Sequence, residues 1–185
     1  MALNERLENP RYELINGEEI MFARPVISHL PVSMNLSAIF RSYLRGKRCK
    51  VYAEPDVFFD EDNHCLPDIV IVCDPGKIKY AHIEGAPDFV AEILSPSTGN
   101  YDMGTKMDIY EKFGVREYWL IDPKSKAIIV YLLKDGRYVF EGRYAVLETG
   151  DEEAMTDKEK AEHKLSLKVS LYEDLEVNVQ DVFED

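Results

Sequence analysis

The chain has 185 residues, of which 45% are hydrophobic and 31% charged, a composition typical of a soluble globular domain. The longest apolar run, 127–133, is far too short to span a bilayer, and residues 1–6 contain no apolar signal core. Three cysteines, odd in number and without a CxxC pair, indicate neither a disulfide framework nor a zinc ribbon. We therefore expect one domain over residues 1–185, no membrane association and a cytoplasmic location.

The net charge of −13 argues at first against a nucleic-acid partner, but the charge is unevenly distributed. Residues 148–185 contain 13 acids and four lysines, so residues 1–147 carry a net charge of only −4. The segment 41–50 contains no acid, and two interpretations of it stay open: a surface that contacts phosphate groups, or a solvated helix end capped by Gly46. Its cations are Arg41, Arg45, Lys47, Arg48 and Lys50.

Apolar patterns and turn residues predict the secondary structure. The predicted strands lie at 12–15, 18–22, 49–59 with a break at Pro55, 68–73, 89–94, 117–121, 127–133 and 137–141, with one or two short ones after 165, and the helices lie within 28–44 and at 102–113. Asn16-Gly17 predicts a tight hairpin, and Gly114 is typical of a residue that ends a helix. Residues 148–164 form a charged insertion, either a flexible loop or a short helix. These elements predict an α/β or α+β fold with a mixed sheet flanked by helices on both faces.

Two of the predicted strands combine an apolar run with an acid. The strand 89–94 has five apolar residues out of six but includes Glu92, and the strand 68–73 begins with Asp68. A carboxylate inside an apolar strand costs several kcal/mol unless a cation or hydrogen-bond donors meet it. If the two strands are neighbours in one sheet, both carboxylates can converge at one place.

The predicted helix 102–113 supplies a cation for these acids. Asp102, Lys106 and Tyr110 follow one another at intervals of four residues and therefore lie on one side of the helix. Two carboxylates and a lysine, brought together by two strands and a helix, would form a site for a divalent metal and a polarised water.

The order of these residues carries a resemblance to a known family. Pro67-Asp68, then Glu92-Ile93-Leu94, then Lys106 resemble the PD-(D/E)XK nuclease superfamily. The superfamily places its lysine two residues after the second acid, where this chain has Leu94, so Lys106 on the helix is expected to take over that role. The segments 12–18, 91–98 and 114–123 are similar to the Uma-type putative restriction endonucleases of bacteria, and the resemblance covers most of residues 11–133.

The resemblance implies a fold, an activity and a site. The fold is restriction-endonuclease-like, with a mixed central sheet flanked by helices, and the activity is metal-dependent hydrolysis of phosphodiester bonds, with DNA as the expected substrate and a homodimer as the expected assembly. Asp68, Glu92 and the backbone carbonyl of Ile93 would hold Mg²⁺ or Mn²⁺, while Lys106 would orient the attacking water or stabilise the transition state. Glu13 and Glu54 are further candidates for ligands or water-holding groups, with surface ion pairing as the alternative, and Asp102 and Tyr110 are expected to support the site.

Other interpretations stay open. Glu92 and Lys106 could form a structural ion pair and nothing more. The chain could be a non-catalytic relative that keeps the fold for nucleic-acid binding or assembly, or a hydrolase of another class whose carboxylates bind a metal. His29 and His64 are interpreted as ordinary polar residues rather than bases.

Overall fold

The computed structural model describes residues 12–21, 26–95, 99–147, 150, 155–162 and 164–184. The strands are β1 (Tyr12–Ile15), β2 (Glu18–Met21), β3 (Lys50–Ala53), β4 (Val57–Asp60), β5 (Asn63–Cys65), β6 (Ile69–Val72), β7 (Ile83–Glu84), β8 (Phe89–Ile93), β9 (Glu117–Asp122), β10 (Ala127–Lys134), β11 (Arg137–Ala145), β12 (Ser166–Lys168) and β13 (Glu176–Asn178). The helices are α1 (His29–Tyr43), α2 (Gly99–Tyr101), α3 (Met107–Phe113), α4 (Asp157–Glu162) and α5 (Val179–Phe183), with a 3₁₀ turn at Pro75–Lys77 and a π-helical turn at Asp102–Lys106.

Three sheets organise these strands. The largest has the order β11-β10-β9-β8-β6-β3 and is mixed, because β8 and β9 are parallel while its other neighbouring strands are antiparallel. The second has the order β2-β1-β5-β4-β7, and β12 pairs with β13 in a third. Parallel neighbours need a crossover connection, and the helical segment from Gly99 to Phe113 provides it between β8 and β9. The α+β architecture and the mixed sheet predicted from the sequence are confirmed.

The central strands of the six-stranded sheet are buried on both faces, which explains their continuous apolar sequences. Every residue of β6 and of β8 is buried. One face packs against α1 and the C-terminal segment, where Phe40 meets Phe89 edge to face at 5.2 Å between ring centroids. The other face packs against α3 and residues of the five-stranded sheet, with Tyr110 and Tyr118 fully buried there. An acid on β8 therefore has to find its partners inside the protein.

Turn residues were reliable guides to the element boundaries. Asn16 and Gly17 both have positive φ, 50° and 81°, as a hairpin turn between β1 and β2 requires, and Gly114 ends α3 with a φ of 82°. The helix within 28–44 is confirmed as α1. None of the described helices has both the length and the apolar character needed to cross a membrane.

The structure differs from the predicted elements in several places. The helix predicted at 102–113 begins earlier, at Gly99, and its first part is a π-helical turn. The strand predicted at 137–141 continues to Ala145, because β10 offers a partner along its whole length. The short strands β5 and β7 were not predicted, since two or three residues show no periodicity. In the charged insertion, α4 confirms a short helix, while 148–149, 151–154 and 163 lie outside the described residues.

The expectation that the cysteines form no disulfide is wrong for Cys49 and Cys73, which are joined. Lys50 of β3 lies opposite Val72 of β6, so extending that register by one residue places the two cysteines opposite each other. Their separation of 24 residues gives no signal of this pairing in the sequence. Disulfides are uncommon in cytoplasmic proteins, so the expected location stays a prediction.

A buried glutamate ties the C-terminal segment to the central sheet. Glu117, at the start of β9, accepts hydrogen bonds from the backbone N–H of Ser170 at 2.7 Å, from its hydroxyl at 2.5 Å and from Trp119 Nε1 at 2.7 Å. Burial raises the pKa of Glu117 although the donors of Ser170 and Trp119 oppose the change. The folded state therefore binds a proton at this position more strongly than the unfolded chain does.

This raised pKa gives a prediction about stability and pH. A group whose pKa is raised on folding contributes stability that is present below its unfolded pKa and lost as the pH rises through its folded pKa. We therefore expect the free energy of unfolding of the wild type, measured relative to Glu117→Gln, to fall as the pH rises from about 4, the ordinary range of a glutamate, through the raised pKa of Glu117. Ser170→Ala removes a donor that opposes the rise of this pKa, so in its background the fall should be larger and extend to higher pH. Urea denaturation across this range checks both, and a pH-independent difference would contradict the assignment.

Candidate active site

The register of β6 and β8 decides where the two strand acids lie. Ile69 is paired with Ala91 in this antiparallel ladder, so one further step places Asp68 opposite Glu92. The Cβ atoms of directly opposite residues lie about 4.5–5.5 Å apart in such a ladder. The backbone N–H of Ile93 donates to Asp68 Oδ2 at 2.7 Å and holds this carboxylate beside the end of β8.

The π-helical turn brings side chains of the crossover segment onto one acid. In such a turn, residues five apart lie side by side, whereas an α-helix aligns residues three or four apart. Tyr101 and Lys106 are five apart, and both contact Glu13 of β1: the tyrosine hydroxyl donates to Oε2 at 2.9 Å, and the lysine Nζ lies 3.0 Å from Oε1. The wider turn therefore connects the crossover segment to the five-stranded sheet.

Lys106 is the centre of a buried charge cluster. Its Nζ lies 2.6 Å from Glu92 Oε1, 3.0 Å from Glu13 Oε1 and 3.9 Å from Asp102 Oδ1. The hydroxyl of Tyr110 donates to the same oxygen of Glu92 at 2.6 Å. Lys106 is 4% exposed and Glu92 is 2% exposed, so these contacts are made away from water. The contact between Glu92 and Lys106 that the sequence indicated is present.

The acids of the cluster influence one another. Burial raises the pKa of Glu92 well above its ordinary value; Lys106 opposes this, and the charges of Asp68, Asp102 and Glu13 add to it. Burial alone would lower the pKa of Lys106, but Glu92 and Glu13 more than reverse that effect and raise it well above the ordinary value. A surplus of negative charge makes both residues hold their protons more strongly.

His29, which the sequence analysis interprets as an ordinary polar residue, lies at the site. It is the first residue of α1, 4% exposed, and its Nε2 lies 3.1 Å from Asp68 Oδ1. Burial lowers the pKa of His29, but the hydrogen bond and the charge of Asp68 outweigh it, so the pKa is raised. Within the described part of the chain, its Nδ1 is buried without a hydrogen-bond partner. No local pattern reveals this contact, because it joins the start of a helix to a strand far along the chain.

The remaining candidates lie as follows. Glu54, at the end of β3 with a φ of 49°, donates its backbone N–H to the carbonyl of Asp68 at 2.9 Å, and its charge acts on His29. Leu94 occupies the position where the superfamily has its lysine; it is half-buried and packs in the core, while Lys106 reaches Glu92 from the helix instead. The structure thus gathers Glu13, Asp102 and Tyr110 around Lys106 and places Glu54 near Asp68.

The cations predicted to contact nucleic acid lie away from the acids. Arg41 lies in the last turn of α1 and the others follow it, whereas His29 at its first turn touches Asp68. α1 has 15 residues, so its two ends lie about 22 Å apart at the rise of an α-helix. Two of the cations are held by the protein itself: Arg48 Nε donates to the carbonyl of Cys73 at 2.7 Å, and Lys47 Nζ lies 3.9 Å from the Tyr43 ring centroid.

The mixed sheet, the crossover helix with its lysine and the two opposed acids define a restriction-endonuclease-like fold with a candidate nuclease site. The chain belongs to the Uma2 family, described as a putative restriction endonuclease, whose model matches residues 2–172. The family resemblance noted in the sequence is confirmed.

The chain is also similar to individual proteins. The chain is 28% identical over 135 residues to an uncharacterized protein of Synechocystis sp., covering 71% of this chain and 70% of the relative. It is also similar to the crystal structure of a putative nuclease belonging to DUF820 from Anabaena variabilis, with a TM-score of 0.71, 22% identity and coverage of 99% of this chain and 97% of that chain. At this identity the second likeness concerns the fold.

The buried cluster gives a prediction about stability. Lys106→Met leaves Glu92 and Glu13 without their cation, and breaking a buried pair in this way costs about 3–5 kcal/mol. Adding Glu92→Gln should recover part of the loss, but not all of it, because Glu13 stays charged. Lys112→Met, an exposed lysine on the same helix, is the control and should change stability by about 0.5 kcal/mol or less. Chemical denaturation of the four proteins checks this, and equal stabilities of the two single variants would contradict it.

Proposed function

We propose that this protein is a metal-dependent endonuclease that hydrolyses phosphodiester bonds of nucleic acid, with DNA as its substrate. The observation that carries the proposal is the position of Asp68 and Glu92 at opposed places on neighbouring strands, with Lys106 bound to Glu92. Membership of a family of putative restriction endonucleases supports a nuclease. A single domain over 1–185, a homodimer and a cytoplasmic location stay predictions that accompany this proposal.

The donor atoms at the site suit a hard divalent ion. In the described part of the chain, no three His, Cys, Asp or Glu side chains are grouped as a metal site. Mg²⁺ is commonly bound by only one or two carboxylates and keeps several waters, so Asp68 and Glu92 with the carbonyl of Ile93 fit Mg²⁺ or Mn²⁺ better than zinc. Both recorded contacts of Glu92 use Oε1, which leaves Oε2 as the oxygen to face an ion. When bound, the ion would lower the pKa of a coordinated water and neutralise charge on the scissile phosphate.

The protein's own side chains have separate tasks in this proposal. Lys106 places a positive charge where the attacked phosphate gains negative charge, and its contacts with Glu13 and Glu92 hold it there before substrate arrives. Tyr110 fixes one oxygen of Glu92. His29 holds Asp68 Oδ1 from α1, so the carboxylate is oriented from both sides, by this imidazole and by the backbone of Ile93.

The burial of the Glu92–Lys106 pair favours a second candidate function. A pair with so little exposure is also what a non-catalytic relative would keep to stabilise its fold, with Leu94 as the sign of a lost lysine. Such a protein would bind nucleic acid or assemble without cleaving. The two candidate functions differ in one respect: an endonuclease requires a metal ion and Asp68 for its activity, and a non-catalytic protein requires neither.

Cleavage is the direct test. The wild type should nick plasmid DNA in the presence of Mg²⁺ or Mn²⁺ and not in excess EDTA. Asp68→Asn removes a charged ligand and should lower the rate about a hundredfold or more, the scale typical of losing one essential charged group. Asp62→Asn, an exposed acid in the turn between β4 and β5, is the control and should cleave like the wild type. No cleavage by wild type with either metal would favour the non-catalytic candidate.

Metal binding should also appear without turnover. An ion that binds only the folded state stabilises it by about 1.4 kcal/mol at ten times its dissociation constant. We expect Mg²⁺ to raise the melting temperature of the wild type and of Asp62→Asn, but not that of Asp68→Asn. A shift of the same size in all three proteins would show that the ion binds elsewhere.

A further inference from the structure

A cationic pocket lies at the opposite end of α1 from the acids. It has a volume of about 430 Å³ and forms where the end of α1 meets β3, the edge strand of the six-stranded sheet. Arg41 lies in the last turn of α1 and Arg45 follows the C-cap residue Leu44, while Lys50 and Tyr52 are two apart and share one face of β3. All four line the pocket, so three positive charges converge on one concave surface.

These charges are not balanced by neighbouring acids. The segment 41–50 contains none, and the structure records no ion pair for Arg41 or Arg45 in the part of the chain that it describes. Lys50 Nζ donates to the backbone carbonyl of Lys47 at 2.8 Å and so keeps its charge. Like charges placed side by side repel each other and destabilise a helix end. The dipole of α1 favours cations at this end, but it does not require that they converge with Lys50 of β3 on one pocket.

The pocket also adjoins backbone donors. On an edge strand, every second residue directs its N–H and C=O away from the sheet, and no strand covers that side of β3 in the described residues. Guanidinium groups have a planar fork of donors that matches phosphate oxygens, and exposed backbone N–H groups bind the same oxygens. A phosphate group is therefore the ligand whose charge and geometry fit.

We infer that this pocket binds a phosphate group of the nucleic-acid strand that is cleaved at Asp68 and Glu92, an inference that rests on the proposed function. Arg41 lies 12 residues after His29, about 18 Å along α1, while β3 runs back from the pocket toward the acids: Tyr52 lies opposite Val70, two residues from Asp68. A nucleic-acid strand that leaves the acids along β3 and α1 therefore brings one of its neighbouring phosphates to the pocket. With a net charge of −13, the protein needs a local cationic contact of this kind to hold DNA.

Binding without cleavage tests the pocket. The probe is a fluorescein-labelled duplex of about 20 base pairs in EDTA, followed by anisotropy over a series of salt concentrations. Arg41→Gln/Arg45→Gln should bind about tenfold more weakly than wild type, to the same extent for unrelated sequences, and its log–log salt slope should be shallower by about two. Lys124→Gln/Lys168→Gln removes the same charge from exposed lysines elsewhere and is the matched control. Equal affinities and slopes for the two double variants would overturn the inference.

Two further measurements distinguish failure of the pocket inference from failure of the proposed endonuclease activity. In the first, inorganic phosphate is titrated and the melting temperatures of the wild type and the arginine variant are measured. If phosphate stabilises only the wild type, and the two proteins bind the duplex equally well, the pocket binds a free anion and the inference is wrong. Plasmid cleavage is compared as well, and the arginine variant should raise KM with kcat unchanged. Arginine-dependent duplex binding without any cleavage by wild type would remove the proposed endonuclease activity and retain the pocket as a nucleic-acid contact.

Discussion

The structure depends on the way one buried carboxylate is neutralised. Glu92 lies in a strand that is covered on both faces, where an unpaired charge would cost several kcal/mol. Lys106 comes from the crossover segment and Glu13 from the five-stranded sheet, and both meet at this position. The cluster therefore joins the central sheet, the crossover and the second sheet through a single ammonium group. Its geometry fixes how these layers stand relative to one another.

The same contacts serve stability and, in the proposed function, reactivity. Burial raises the pKa of Glu92, and the negative charges of the neighbouring carboxylates raise it further. A structural ion pair requires one carboxylate, so the additional carboxylates add repulsion without a structural reason. Strongly shifted groups of this kind are concentrated at functional sites, because chemistry needs charges that the fold alone would avoid. Adding a divalent cation beside Asp68 and Glu92 would relieve this repulsion. In the proposed function, this is the role of the bound metal ion.

Local patterns predicted the residues of the site but not all of their contacts. The apolar runs around Glu92 and Asp68 identified two buried strands, and helical spacing identified Lys106 and Tyr110. The contacts that escaped depend on how distant segments align: His29 on Asp68, Cys49 with Cys73, and the π-helical turn that brings Tyr101 beside Lys106. Tertiary packing determines the register of the strands and the extra residue in the helical turn. Because neither produces a periodic pattern of apolar residues, neither can be predicted from the sequence.

One helix connects the two ends of the proposed DNA-binding path. Leu36 and Phe40 are fully buried, so α1 is held firmly against the six-stranded sheet. Its first residue, His29, contacts Asp68, and its last turn carries Arg41 into the cationic pocket. β3 returns from the same pocket toward Asp68, with Tyr52 opposite Val70, so α1 and β3 together connect the pocket to the reaction site. On a protein with a net charge of −13, the cations of this pocket are the surface that attracts a polyanion, and they therefore favour one path for it toward the acids.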